Sequence, residues 1–109
     1  MLDPGTIVIA YLREPREQIW GVLLKLEASG LLIRGLDIGS FDDFLKQTGG
    51  GEARTIDLSS VFYPVTRIEK IIFDESTETI PSLQDRFKSR TGMAIHTYLG
   101  MRGGDEHVA

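Results

Sequence analysis

Residues Gln18 to Asp37 read QIWGVLLKLEASGLLIRGLD, two long apolar stretches joined at Ala28, Ser29 and Gly30. In the first, Trp20, Val22, Leu24 and Leu26 recur at period two with Lys25 and Glu27 on the other side, the pattern of a half-buried antiparallel strand. In the second, Leu31 to Ile38, Leu32, Leu36 and Ile38 alternate with Leu31, Ile33 and Gly35. The two stretches predict a hairpin with which the other strands pair. Gly21, beside Trp20, marks the bend by which a small sheet closes on itself.

Working outward, Thr6 to Arg13 (TIVIAYLR) is apolar on both faces and predicts a first strand buried on both sides. Glu14 to Glu17 form the turn into the hairpin, because Pro15 cannot sit in a central ladder. Thr55 to Tyr63 (TIDLSSVFY) predict a fourth strand and Arg67 to Phe73 (RIEKIIF) a fifth, with a tight turn at Tyr63 to Thr66. On the fifth strand, Ile68 and Ile72 share one face, and Ile71 and Phe73 the other. Five short strands, mostly hairpin-connected, predict a mainly β fold with α: a strongly bent five-stranded barrel followed by a C-terminal helix.

Between strands three and four, Ser40 is placed to cap a short helical turn over Phe41 to Leu45, where Asp42 and Asp43 suit the positive helix start. Gln47 to Arg54 (QTGGGEAR) holds three consecutive glycines and predicts a mobile, dispensable loop. That glycine run lacks the Lys-Ser/Thr of a phosphate-binding loop. Beyond Phe73, Ile80, Leu83 and Phe87 recur at helical spacing behind Pro81, and Gly92 is a left-handed stop. Ala94 to Leu99 suits a second short helix better than a strand, and the tail from Gly100 should fray.

The 109 residues predict one domain, with the barrel over 6–75, the helical segment over 80–99 and a flexible tail over 100–109. Hydrophobic residues at 41% and charged residues at 26% are globular values that exclude disorder and a membrane span. The absence of cysteine removes disulfides, thiolate metal sites and thiol nucleophiles. With no signal peptide legible, the cytoplasm is expected. A net charge of -4 disfavours nonspecific binding to nucleic acid or anionic lipid. Asp37, Asp42 and Asp43 read as solvated caps, His96 and His107 as surface residues, and Arg86, Lys88, Arg90 and Arg102 as a solvated helix face. No catalytic, metal or cofactor site is therefore expected, and the chain does not read as an enzyme.

VIAYLREPREQIWGVLLKLEASGLLIRGLDI resembles the first three strands of the Sm-like family, including its glycine early in strand two, and VFYPVTRIEKII resembles strands four and five around a short turn. SH3-like barrels share the periodicity. The resemblance implies a self-assembling ring or adaptor module, a homo-oligomer, and as the alternative an RNA-binding ring. RNA stands second because Tyr63-Pro64-Val65 occupies the place of the Tyr-Lys-His triplet of the family's bacterial RNA chaperone. The residues the resemblance would put against RNA or another ligand are Tyr63, Arg34, Arg67 and Lys70. LQDRFKSRTGMAIHTYLGMR resembles the last helix-turn-helix stretch of AraC-type activators. Because β-rich sequence stands where that domain needs further helices, DNA binding is not expected.

Overall fold

A computed structural model describes residues 2–50 and 56–101. Strands β1 (Ile7–Leu12), β2 (Glu17–Glu27), β3 (Gly30–Asp37), β4 (Ser59–Pro64) and β5 (Ile68–Phe73) form one antiparallel sheet in the order β4-β3-β2-β1-β5. Helix α1 (Phe41–Gly50) lies between β3 and β4, and α2 (Leu83–Thr91) and α3 (Ile95–Met101) follow the sheet. The chain divides into two compact units, Met1–Asp74 and Glu75–Ala109. Among the described residues no helix is long and apolar enough to cross a membrane.

The link between the two edge strands fixes the curvature of the sheet. Pro64 at the end of β4 is level with Glu27 and Gly30, whereas Ile68 at the start of β5 is level with Leu12 and Glu17. In a flat sheet these ends would be diagonally opposite, about 19 Å apart across the strands and about 33 Å apart along them. A single 3₁₀ turn, Val65–Arg67, joins them. Four Cα steps reach at most about 14 Å, so the sheet must roll until the two corners meet. Two backbone bonds hold the corner: Arg13 N–H donates to the Arg67 carbonyl at 2.8 Å, and Val65 N–H to the Ser29 carbonyl at 2.9 Å. No ladder joins β4 to β5 among the described residues.

The roll demands close backbone approach within the hairpin. Gly21 and Gly35 oppose each other across β2 and β3. A Cβ on Gly21 would overlap the Arg34 carbonyl oxygen, and one on Gly35 the Trp20 carbonyl oxygen. All five strands contribute to one cluster on the concave face. Val8, Ala10, Leu12, Ile19, Leu23, Leu31 and Ile33 are buried there, and Tyr63, Ile68 and Ile71 pack against them.

Two bulges overturn the strict alternation expected from the sequence. In β2 the register shifts between Leu23 and Lys25, so the inserted Leu24 breaks the phase. Leu23 is fully buried, while Leu24 and Leu26, expected in the core beside Trp20, are exposed. In β5 the register shifts so that Leu12 opposes Ile68 while Tyr11 opposes Lys70. Ile68 and Ile71, expected on opposite faces, therefore pack against the same cluster.

Trp20 projects from the other face, is fully buried, and meets the Phe41 ring edge-on with centroids 5.0 Å apart. Its Nε1–H donates to Asp74 Oδ2 at 3.0 Å, satisfying a buried donor and a buried acceptor together. Helix α1 outruns the short turn expected. Phe41, Phe44 and Gln47 recur on one buried stripe, and the Gln47 amide donates to the Ile56 carbonyl. Gln47–Gly50, expected in a mobile loop, thus form the last turn of α1, whereas residues 51–55 lie outside the described residues. Ahead of the helix, Asp37 accepts from Gly39 N–H and opens the 3₁₀ turn Ile38–Ser40 that leads into α1. Strand β4 starts at Ser59, with buried Leu58 ahead of it.

In the second unit, α2 begins at Leu83 under a Ser82 cap that accepts from Asp85 N–H at 3.1 Å, and Ile80 is exposed rather than part of the helix. Gly92 takes the left-handed conformation at φ 81° and stops the helix. Residues 95–101 resume as helix, and Phe87 meets Tyr98 edge-on at 5.4 Å. The tail from residue 102 lies outside the described residues.

Gly21→Ala should destabilise the fold by about 1 to 3 kcal/mol, the usual cost of forcing atoms into filled space, as a lower urea midpoint. An unchanged midpoint would show that the hairpin relaxes freely. Trp20→Ala should cost about 3 to 5 kcal/mol, and wild-type emission should lie to the blue of hydrated tryptophan.

Candidate functional site

The rolled sheet leaves an open groove of about 610 Å³ in the first unit, beside β4 and the paired ends of β2 and β3. Strand alternation brings its walls together: Glu17 and Ile19 from β2, Ile33 and Gly35 from β3, and Ser59, Val61 and Tyr63 from β4 each sit two residues apart. Leu36, Asp37 and Ser40 add the exit of β3, and Ile56 and Asp57 the approach to β4. The floor is aliphatic, and the charged lining residues, Glu17, Asp37 and Asp57, are all acidic.

Hydrogen bonds orient two of these carboxylates. Asp37 Oδ2 accepts from Gly39 N–H at 2.9 Å, and Asp57 Oδ1 from Leu58 N–H at 2.8 Å. The third, Glu17, ion-pairs with Arg67 at 3.5 Å. Tyr63 stands beside this pair, with the Arg67 guanidinium 5.8 Å from its ring centroid, a cation–π contact. Burial raises the Tyr63 phenol above its ordinary pKa. The Glu17 carboxylate adds to the rise, Arg67 opposes it, and Asp37 adds again.

The four residues singled out for RNA or ligand contact do not converge. Tyr63 lines the groove and Arg67 adjoins it, but Arg67 is committed: it also donates to the carbonyls of Arg13 at 2.9 Å and Pro15 at 2.6 Å. Arg34 projects from the opposite face, where it donates to Ser60 Oγ at 3.4 Å. Lys70, on β5, sits 4.7 Å from the Tyr11 ring centroid. No motif in the sequence singles out Glu17 or Asp57, whereas the period-two run Ser59, Val61, Tyr63 signals a common wall.

The other polar candidates take structural places. Asp42 and Asp43 occupy the first turn of α1, and His96 is exposed on α3. Lys88 and Arg90 complete the last turn of α2, while Arg102 and His107 lie outside the described residues. Among the described residues no group of three or more His, Asp or Glu side chains is arranged to hold a metal. Compared with family models, curated proteins and solved structures, the chain matches none.

Ultraviolet titration should find Tyr63 ionising above the ordinary value of 10.0, its contribution assigned by the difference from Tyr63→Phe. Asp37→Asn should lower that pKa and Arg67→Gln raise it further. Because the folded value is the higher one, the stabilisation from neutral Tyr63 is complete below pH 10.0 and falls as pH rises through the folded pKa. A Tyr63 pKa at the ordinary value would refute this electrostatic picture.

Proposed function

We propose that the protein is a non-enzymatic interaction module, a small bent barrel of the Sm-like or SH3-like kind, that assembles with copies of itself through β4 and β5. The carrying observation is the condition of the two edges. Each is six residues long, neither pairs with the other, and both expose large apolar side chains: Phe62 at 47%, Ile72 at 38% and Phe73 at 45%. Unpaired edges with exposed apolar residues are templates for pairing with another chain. Phe62 opposes Leu32 and Ile72 opposes Ile9, which places both on the Trp20 face of the sheet. In an antiparallel pairing of β4 with a second copy's β5, these two side chains become cross-strand neighbours. Such a contact is head-to-tail, and repeated with rotation it closes a ring. The Sm-like resemblance implies the same mode of closure.

The alternative, an RNA-binding ring, draws no support from the groove. Its acidic lining repels phosphate, and Arg67 is held by carbonyls and Glu17.

Light scattering should give a mass several times the 12.1 kDa of one chain. The double substitution Phe62→Lys, Ile72→Lys should return it to the monomer while keeping a cooperative melt. A wild-type monomer at high protein concentration would sink the assembly reading. Binding of unstructured RNA with a steep loss in salt would favour the alternative.

A further inference from the structure

The covalent link between β4 and β5 forces the sheet to roll but leaves the final angle between these strands open, because a span bounds a distance and not a direction. Two arginines fix the direction by clasping each other's backbone. Arg67 donates through Nε to the Arg13 carbonyl at 2.9 Å and through Nη2 to the Pro15 carbonyl at 2.6 Å. Arg13 donates in return through Nε to the Thr66 carbonyl at 3.1 Å, and its backbone N–H reaches the Arg67 carbonyl at 2.8 Å. The Arg67 head also meets Glu17 at 3.5 Å. The β5 end of the link is thus pinned to the β1–β2 turn, while Val65 N–H pins its β4 end to Ser29 in the β2–β3 turn. These two turns lie at opposite ends of β2.

A guanidinium presents its donors in a rigid planar fork, so a carbonyl bonded to it is held in direction as well as distance. The side-chain bonds of the clasp are exposed, and water replaces a missing guanidinium there without leaving a buried orphan. The clasp therefore contributes orientation more than stability. In a head-to-tail ring every contact repeats, so the rotation from one copy to the next follows from the angle between the two edges of a single copy. Closure at about five copies and closure at about six differ by only about 12° of that rotation. We infer that Arg13 and Arg67, by clasping the Val65–Arg67 link to the β1–β2 turn, set the angle between the edges and with it the number of copies at which the ring closes. This rests on the head-to-tail assembly proposed above and adds what decides its size.

The test is native mass spectrometry of the full chain, beside thermal melts, on the wild type, Arg13→Met with Arg67→Met, Arg67→Lys, and Arg16→Met. Methionine keeps an apolar stem without the fork, and lysine keeps the charge beside Glu17 without the fork. The wild type and Arg16→Met, which removes a neighbouring charge outside the clasp, should each give one subunit number. The double variant should melt cooperatively and spread over two or more subunit numbers, or move to a different one. Arg67→Lys, the smaller change, should do the same and carries the test if the double variant does not fold. A single unchanged subunit number in the folded variants would overturn the inference while leaving the assembly standing. An equal spread in Arg16→Met, or folded variants that are wholly monomeric, would also overturn it, by showing a general effect of charge or a direct role in pairing. A monomeric wild type would instead remove the assembly itself.

Discussion

A three-residue turn joins strands that a flat sheet would hold at opposite corners, and that joint governs the first unit. Val65–Arg67 can link β4 to β5 only if the sheet rolls, so curvature is a covalent requirement rather than a consequence of side-chain packing. The rest of the hairpin answers that requirement. Gly21 and Gly35 let the backbones of β2 and β3 approach where side chains would collide. The bulge at Leu24 changes the direction of β2 beyond that point. Arg67 secures the corner by binding the carbonyls of Arg13 and Pro15 and the Glu17 carboxylate, which ties the β1–β2 turn to the start of β5.

Rolling the sheet produces two different faces. The concave face encloses aliphatic side chains from neighbouring strands and needs no polar partner. The opposite face carries Trp20, whose indole N–H would be an orphan donor without Asp74. That bond joins β2 to the residue just after β5, and Asp74 N–H returns to Ile7 O at 3.1 Å. The far side of the sheet is thus tied across β1 by polar bonds, while the near side is held by apolar contact. Helix α1 brings Phe41 edge-on against Trp20, and the buried Gln47 secures the helix end to Ile56.

Much of this was legible in the sequence, because period-two runs give strands and Gly92 gives a helix stop whatever surrounds them. What escaped has a common physical origin. Alternation assumes one residue per register step, and each bulge breaks that assumption, so the faces it predicts for Leu24, Leu26, Ile68 and Ile71 hold only for unbroken strands. Glycine content argues for a loop at residues 47–50 through entropy, but one buried side chain, Gln47, outweighs it by anchoring the last helical turn. The groove was harder still. Its walls join Tyr63, level with Leu31, to Glu17, beyond the Ile19–Asp37 pair, and these lie at opposite ends of their strands until the sheet has rolled.

The same roll that makes the groove also brings the two edge strands to a common corner. In a flat sheet the ends of β2 and β3 would lie in the plane of β4 and enclose nothing; curled, they form a wall facing Val61 and Tyr63. The turn at Val65–Arg67 joins β4 and β5 without pairing them, so among the described residues each remains an edge of the sheet. A longer connection would let the sheet relax, widening the groove and separating the edges together. The brevity of that link therefore couples the two features: a change in its length must alter the shape of the groove and the placement of the edges at once.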